Sequence, residues 1–195
     1  MARNMCKSAK EYFDTLSHLC HTIDHQAIDA LAKRLLQTWR DNRQVFVYGN
    51  GGSACTSSHF VIELLLTSGM DKAKGLRAIS LPDNVGVLTA LANDTSYDKI
   101  FYYPLVSYAQ PGDVAIVISG SGNSPNVLTA TQWAKDNGLF IVALTGFNGG
   151  KLKDLADLQI HIPNDNYGII EDLHMSIGHI VGQILHHAIA AETAK

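Results

Sequence analysis

From Gln44 onward, short apolar stretches alternate with longer segments of helical spacing, and this alternation constrains the fold more than any other feature of the sequence. The strand candidates are Val45–Tyr48, Leu76–Leu81, Val114–Ser119, Phe140–Thr145 and Leu158–Ile162, each preceded by polar or glycine punctuation. A run such as Val114 to Ile118 has no polar break, which suits a strand covered on both faces; helices between strands require parallel pairing through crossovers. The expected fold is α/β: a doubly wound parallel five-stranded sheet flanked by helices, in one domain over residues 1–195. Residues 1–42 read as an N-terminal helical segment, with Tyr12, Leu16, Leu19, Cys20 and Ile23 on one stripe and Ile28, Leu31, Leu35, Leu36 and Trp39 on a second, broken at Asp24-His25. Residues 43–195 hold the α/β core and a long final helix, about Ile169 to Ala190. Ile170, Leu173, Ile177, Ile180, Val181, Ile184 and Leu185 make that helix more apolar around its circumference than one surface helix needs, so burial in an oligomer is expected.

Charge and composition remove several function classes. A formal net charge of −3 gives no basic footprint for nucleic acid or anionic lipid. No apolar run approaches the roughly 18–20 residues of a membrane span, and Met1 to Lys10 lacks the apolar core of a secretory leader. Three cysteines, Cys6, Cys20 and Cys55, have neither disulfide parity nor metal spacing. The expectation is a soluble cytoplasmic protein without a nucleic-acid or membrane partner.

In open parallel sheets, ligands bind beyond the carboxyl ends of the strands. The first strand ends in Gly49-Asn50-Gly51-Gly52-Ser53-Ala54 and enters a helix, a place where backbone N–H groups and the helix dipole can receive an anion. The bland alternative is a tight turn with Ser53 as N-cap. The run also fits Gly-x-Gly-x-x-Ala, but the nearest acidic candidate for a ribose, Asp83, lies far beyond the spacing of a dinucleotide site, so no nucleotide is expected. The third strand ends in Ser119-Gly120-Ser121-Gly122-Asn123-Ser124, followed by Pro125 at a helix start. Helix capping accounts for Ser124 but not for Ser119 and Ser121. Hydroxyl and backbone donors there can bind one phosphate without lysine or arginine.

These motifs resemble those of the sugar isomerase (SIS) domain family, in particular its phosphoheptose isomerase group. The family pattern Gly-Asn-Gly-Gly-Ser with His-x-x-x-Glu is similar to Gly49–Ser53 with His59 and Glu63; its Asn-Asp, Ser-x-Ser-Gly-Asn-Ser and Leu-Thr-Gly-x-x-Gly-Gly resemble Asn93-Asp94, Ser119–Ser124 and Leu144–Gly150. A C-terminal helix with paired histidines resembles Leu173–Ile180. The resemblance implies a homotetramer binding a sugar phosphate. Ser53, Ser119, Ser121 and Ser124 would hold the phosphate, with Asn50, Gly51, Gly52, Gly120, Asn93, Asp94 and Glu171 completing the substrate site.

Glu63 follows His59 by four residues, so the two project from one helical face amid Val61, Ile62, Leu64, Leu65 and Leu66. A carboxylate and an imidazole in so apolar a segment are either paired with each other or functional. By resemblance, Glu63 is the base that forms an enediol and His179 the complementary acid. A divalent metal, zinc by expectation, would be held by His59, Glu63, Glu171 and His179. Residues 171 and 179 are separated by about 12 Å of helix rise, so sharing one ion takes long side chains or neighbouring subunits. His18, His21, His25, His161, His186 and His187 read as surface or interface residues.

Three departures bear on the substrate. The family has glutamine where Glu171 stands, arginine where Thr67 stands and an Asp-Arg pair where Gly168-Ile169 stand. The expected reaction is aldose–ketose isomerisation of a sugar phosphate, sedoheptulose 7-phosphate by resemblance. The competing class is a non-catalytic sugar-phosphate sensor or an assembly protein similar to replication-initiation regulators, which lack the glutamate and the final histidine.

Overall fold

A computed structural model describes residues 5–67 and 74–194, with Thr67 described by its backbone alone. The leader reading at Met1 to Asn4 and the side chain of Thr67 therefore lie outside the described residues. Two helices come first, α1 (Ala9–Thr22) and α2 (His25–Arg40). The break between them is chemical: Asp24 caps α2, its carboxylate accepting from Ala27 N at 3.1 Å. The α/β portion then runs β1 (Gln44–Tyr48), α3 (Gly52–Ile62), β2 (Arg77–Ser80), α4 (Val85–Asp94), α5 (Tyr102–Tyr108), β3 (Val114–Ser119), α6 (Pro125–Asp136), β4 (Phe140–Thr145), β5 (Leu158–His161) and α7 (Tyr167–Thr193). The chain continues α3 with one wide π turn over Glu63–Thr67.

All four strand pairings are parallel, in the order β2-β1-β3-β4-β5. Both faces are covered, as the unbroken apolar strands require. Val45, Val47, Ile116, Ile118, Val142 and Leu144 pack beneath α2, α3 and α7, while Phe46, Tyr48, Ala115, Val117, Ile141 and Ala143 pack against Phe101, Leu105, Val127 and Ala130. The strand order reverses between β1 and β3, so the loops leaving these two strands diverge to opposite faces and leave a crevice. Those are the two polar loops singled out from the sequence.

Four strand ends differ from expectation by one residue: β1 starts at Gln44, β5 ends at His161, and β2 is shorter at both ends. Leu76 precedes β2, and Leu81 starts a single 3-10 turn with Pro82 that ends the strand. No helix among the described residues is long and apolar enough to cross a membrane.

Candidate active site

At the β1/β3 crevice a cavity of about 390 Å3 is lined by Asn50, Gly51, Gly52, Ser53, Ile118, Ser119, Gly120, Ser121, Ser124, Tyr167 and Glu171. No lysine or arginine is among them, so an anion here would be held by hydroxyls, backbone N–H groups and helix ends. The N-cap of α3 is Gly51, at φ 57, which places Ser53 inside the first turn instead of at the cap. Ser124 occupies the N-cap position of α6 without a side-chain capping bond. The Ser119 and Ser121 hydroxyls accept from Gly122 N (3.1 Å) and Asn123 N (3.3 Å), which fixes the loop.

The Leu144–Gly150 motif braces this loop from behind. Gly146 N donates to Gly120 O at 2.8 Å and Leu152 N to Gly122 O at 3.0 Å. Backbones meet so closely that a Cβ on Gly150, at φ 56, would lie 2.4 Å from Ser121 O.

Three residues of this region escape a motif search. Asn126, 1% exposed, exchanges two amide hydrogen bonds with Asn50 (2.9 and 2.8 Å), and Tyr97 Oη donates to Asn50 Oδ1 at 3.2 Å. The Asn50 side chain thereby ties β1's loop to α6, with one amide N–H left over at the cavity wall. Tyr167 lies over Gly120, where a Cβ would come 3.0 Å from its ring. The signal for Asn126 is present in the sequence: it neighbours the inward stripe Val127, Ala130 and Ala134, and a polar group buried there needs a partner. Asn93 and Asp94 are not brought to the cavity. They sit exposed at the end of α4, bonded to each other at 2.8 Å.

A second cluster forms where α3 passes into the π turn beside α7. Glu63, 9% exposed, places Oε1 3.6 Å from His59 Nε2 and 3.3 Å from His179 Nδ1. The two rings meet edge to face, centroids 4.7 Å apart. A π turn re-aims side chains and recurs at functional sites. On α7, Gly182 leaves space for the carboxylate: a Cβ there would fall 2.6 Å from Glu63 Oε2. One ligand atom from each of His59, Glu63 and His179 lies within 4.8 Å of the others, and His59 Nε2 is buried without a hydrogen-bond partner. Two imidazole nitrogens and a carboxylate oxygen suit a divalent cation, and an orphaned ring nitrogen is what a metal would satisfy.

Glu171 lies elsewhere within the chain. Its carboxylate rests against Gly52, where a Cβ would be 2.5 Å from Oε2, on the wall of the β1/β3 cavity. Burial, then the neighbouring Asp172, holds its carboxyl above the usual carboxylate range. Of the other histidines, His174 is fully buried beneath β4, with Nε2 3.4 Å from Thr145 O, and His161 is half-buried against Thr145 Oγ1 at 3.0 Å, not on the surface.

The SIS domain family profile matches residues 11–146. The phosphoheptose isomerase of Mycobacterium tuberculosis is 39% identical over 166 residues, covering 85% of this chain and 84% of its own. The chain belongs to the SIS family, in its phosphoheptose isomerase group. The Roseiflexus sp. phosphoheptose isomerase, 35% identical over 173 residues, covers 88% of this chain and 87% of its own. Among solved structures, a phosphoheptose isomerase from Francisella tularensis superposes with a TM-score of 0.85 at 28% identity, covering 91% of this chain and 94% of that one. Membership accounts for the order of the motifs.

Proposed function

We propose that this chain interconverts a phosphorylated ketose and its aldose through an enediol, with sedoheptulose 7-phosphate and a heptose 7-phosphate as the pair. The observation that carries the reading is the placement of Glu63: a buried carboxylate held between two imidazoles, on the same helix whose first turn lines the anion cavity. Between Gly52 and Glu63 the helix rises about 16 Å, and side chains lean back toward its N-terminus. A ligand with its phosphate on the serine loops and its reacting carbons at Glu63 is therefore a long, extended sugar rather than a triose.

The serine loops and the first turn of α3 fix the phosphate, which positions C1 and C2 of the sugar. Glu63 takes a proton from C1 as the C1–C2 double bond forms, while His179 gives one to the oxygen on C2. Return of the Glu63 proton to C2, with the O1 hydroxyl proton passing to His179, completes the aldose and restores both groups. Oε1 faces both imidazoles, so Oε2, in the space beside Gly182, is the oxygen for the carbon-bound proton. His59, Glu63 and His179 would hold the cation, with zinc the best match to these donors. When bound, it supplies electrostatic stabilisation of charge developing on the sugar oxygens. Glu171, on the cavity wall, accepts from a sugar hydroxyl. We also propose a homotetramer, supported by exposed Ile180 and Ile184 on α7 and exposed Leu65 and Leu66 beside the trio.

The test is to mix the protein with a panel of ketose and aldose phosphates and follow interconversion by NMR. Turnover of sedoheptulose 7-phosphate is expected. Turnover of shorter ketose phosphates alone would contradict the chain-length argument, and binding without turnover would favour a sensor.

A further inference from the structure

Within the Leu144–Gly150 motif that braces the serine loop, Phe147 and Asn148 make no hydrogen bond to that loop themselves. Phe147 sits at φ 48, a left-handed conformation that bulky side chains avoid. Its backbone is pinned there, with Phe147 N donating to Asn164 O at 2.8 Å. The ring lies partly against the core, and a strained conformation held by its surroundings points to a use for the part it leaves exposed. The ring meets Tyr167 edge to face, centroids 4.8 Å apart.

Together these rings wall a second cavity, of about 330 Å3, that shares Ser121 and Tyr167 with the anion cavity and is rimmed by Asn123, Asn148 and Asp165. Asn123 is spent at both ends, on Ser121 O (2.9 Å) and Lys151 N (3.1 Å), and Asn148 Oδ1 accepts from Gly150 N at 3.1 Å. Among the described residues, the Asn148 amide N–H groups and the Asp165 carboxylate have no protein partner.

We propose that this cavity is a subsite for the closed ring of a cyclic sugar phosphate, its phosphate on the serine loop at Ser121 and its ring against Phe147 and Tyr167, pointing away from Glu63. The inference rests on the phosphate reading of the serine loops given above. A pyranose offers an apolar C–H face to the aromatic wall, hydroxyl donors to Asp165 and acceptor oxygens to Asn148. With no lysine or arginine on its lining, the subsite supplies no second anion contact, so the ligand's charge is carried by the one shared phosphate. The edge-to-face rings leave no parallel slot for a flat nucleobase. A ring bound here holds its carbons away from the trio, so closed-ring phosphates compete with the open-chain substrate and are not turned over.

Calorimetric titration with three probes tests this: inorganic phosphate, methyl β-D-glucopyranoside 6-phosphate, whose ring cannot open, and D-sorbitol 6-phosphate, which has no ring. Phe147→Gly removes the aromatic wall while suiting the left-handed backbone, so the variant should fold. It is expected to weaken the glycoside phosphate by about tenfold and leave inorganic phosphate and sorbitol 6-phosphate unchanged. The exposed Asp165→Ala should act in the same selective way and decides the matter if Phe147→Gly folds poorly. Unchanged glycoside affinity in these variants, or equal weakening of all three probes, would overturn the subsite. Failure of inorganic phosphate to bind the unaltered protein would instead remove the serine-loop reading, and the subsite with it.

Discussion

The role proposed for Glu63 depends on a glycine on another helix. A Cβ at position 182 would lie 2.6 Å from its Oε2 and 3.0 Å from its Cβ, so Gly182→Ala must push the carboxylate away from the two imidazoles. Misplacement by about an ångström can cost about 10²-fold, and a loss of that order in kcat, with phosphate affinity retained, is the expected result from steady-state kinetics alongside phosphate calorimetry. Ser121→Ala should do the reverse, weakening phosphate binding roughly tenfold or more for a lost charge-assisted bond while sparing kcat. Glu171→Gln removes a carboxylate from the wall of an anion cavity, and KM for the sugar phosphate should fall with kcat equal or higher; loss of activity would mean that the chemistry depends on the charge. The His59–Glu63 pair was legible because four-residue spacing on an apolar helix puts both groups on one face. The position of Glu171 was not, since its separation from His179 along α7 leaves open which of two clusters it joins. Asn126 and Tyr97 act only through Asn50, a contact between residues distant in sequence.

Helices and strands divide in the same way. The strands stand within two residues of expectation at each end because their apolar runs are bounded by glycine or polar punctuation. The π turn at Glu63–Thr67 leaves no such mark. α4 packs Leu88, Leu91 and Ala92 only partly buried against the core and leaves Val85 and Val87 exposed, so the core of one subunit accounts for part of its apolar pattern. The loops after β3 and β4 form one unit, and their fit depends on Gly150, at φ 56 with Ser121 O where a Cβ would go. Gly150→Ala should part the two loops and weaken inorganic phosphate binding, measured by calorimetry, by more than Ser121→Ala does, since it displaces the whole serine loop.

The molecule as a whole carries a buried base with no role in the proposed chemistry. Burial pushes His174 down to about 4, with the bond to Thr145 O partly opposing and His161 adding to the effect. The unfolded chain protonates this histidine near 6.5 and the folded protein only near 4, so its contribution is intact above 6.5 and lost as pH falls through that window. The free energy of unfolding from urea titrations should drop between those limits, by up to about 3 kcal/mol, and the drop should be shallower in His174→Gln. Exposed Ile62, Leu65, Leu66, Ile180 and Ile184 around the trio, with Val85 and Val87 on α4, are the surfaces expected to close the homotetramer. Light scattering should give about four times 21.2 kDa, and a monomeric mass would contradict it. The central claim is that Glu63 moves a carbon-bound proton of a phosphorylated sugar. Sedoheptulose 7-phosphate incubated with the protein in D2O and followed by proton NMR tests it most directly. Deuterium should enter at the carbons of the enediol with the unaltered protein, and Glu63→Gln should slow that entry by about 10²–10⁴-fold while still binding phosphate; exchange at an unchanged rate in Glu63→Gln would contradict the account.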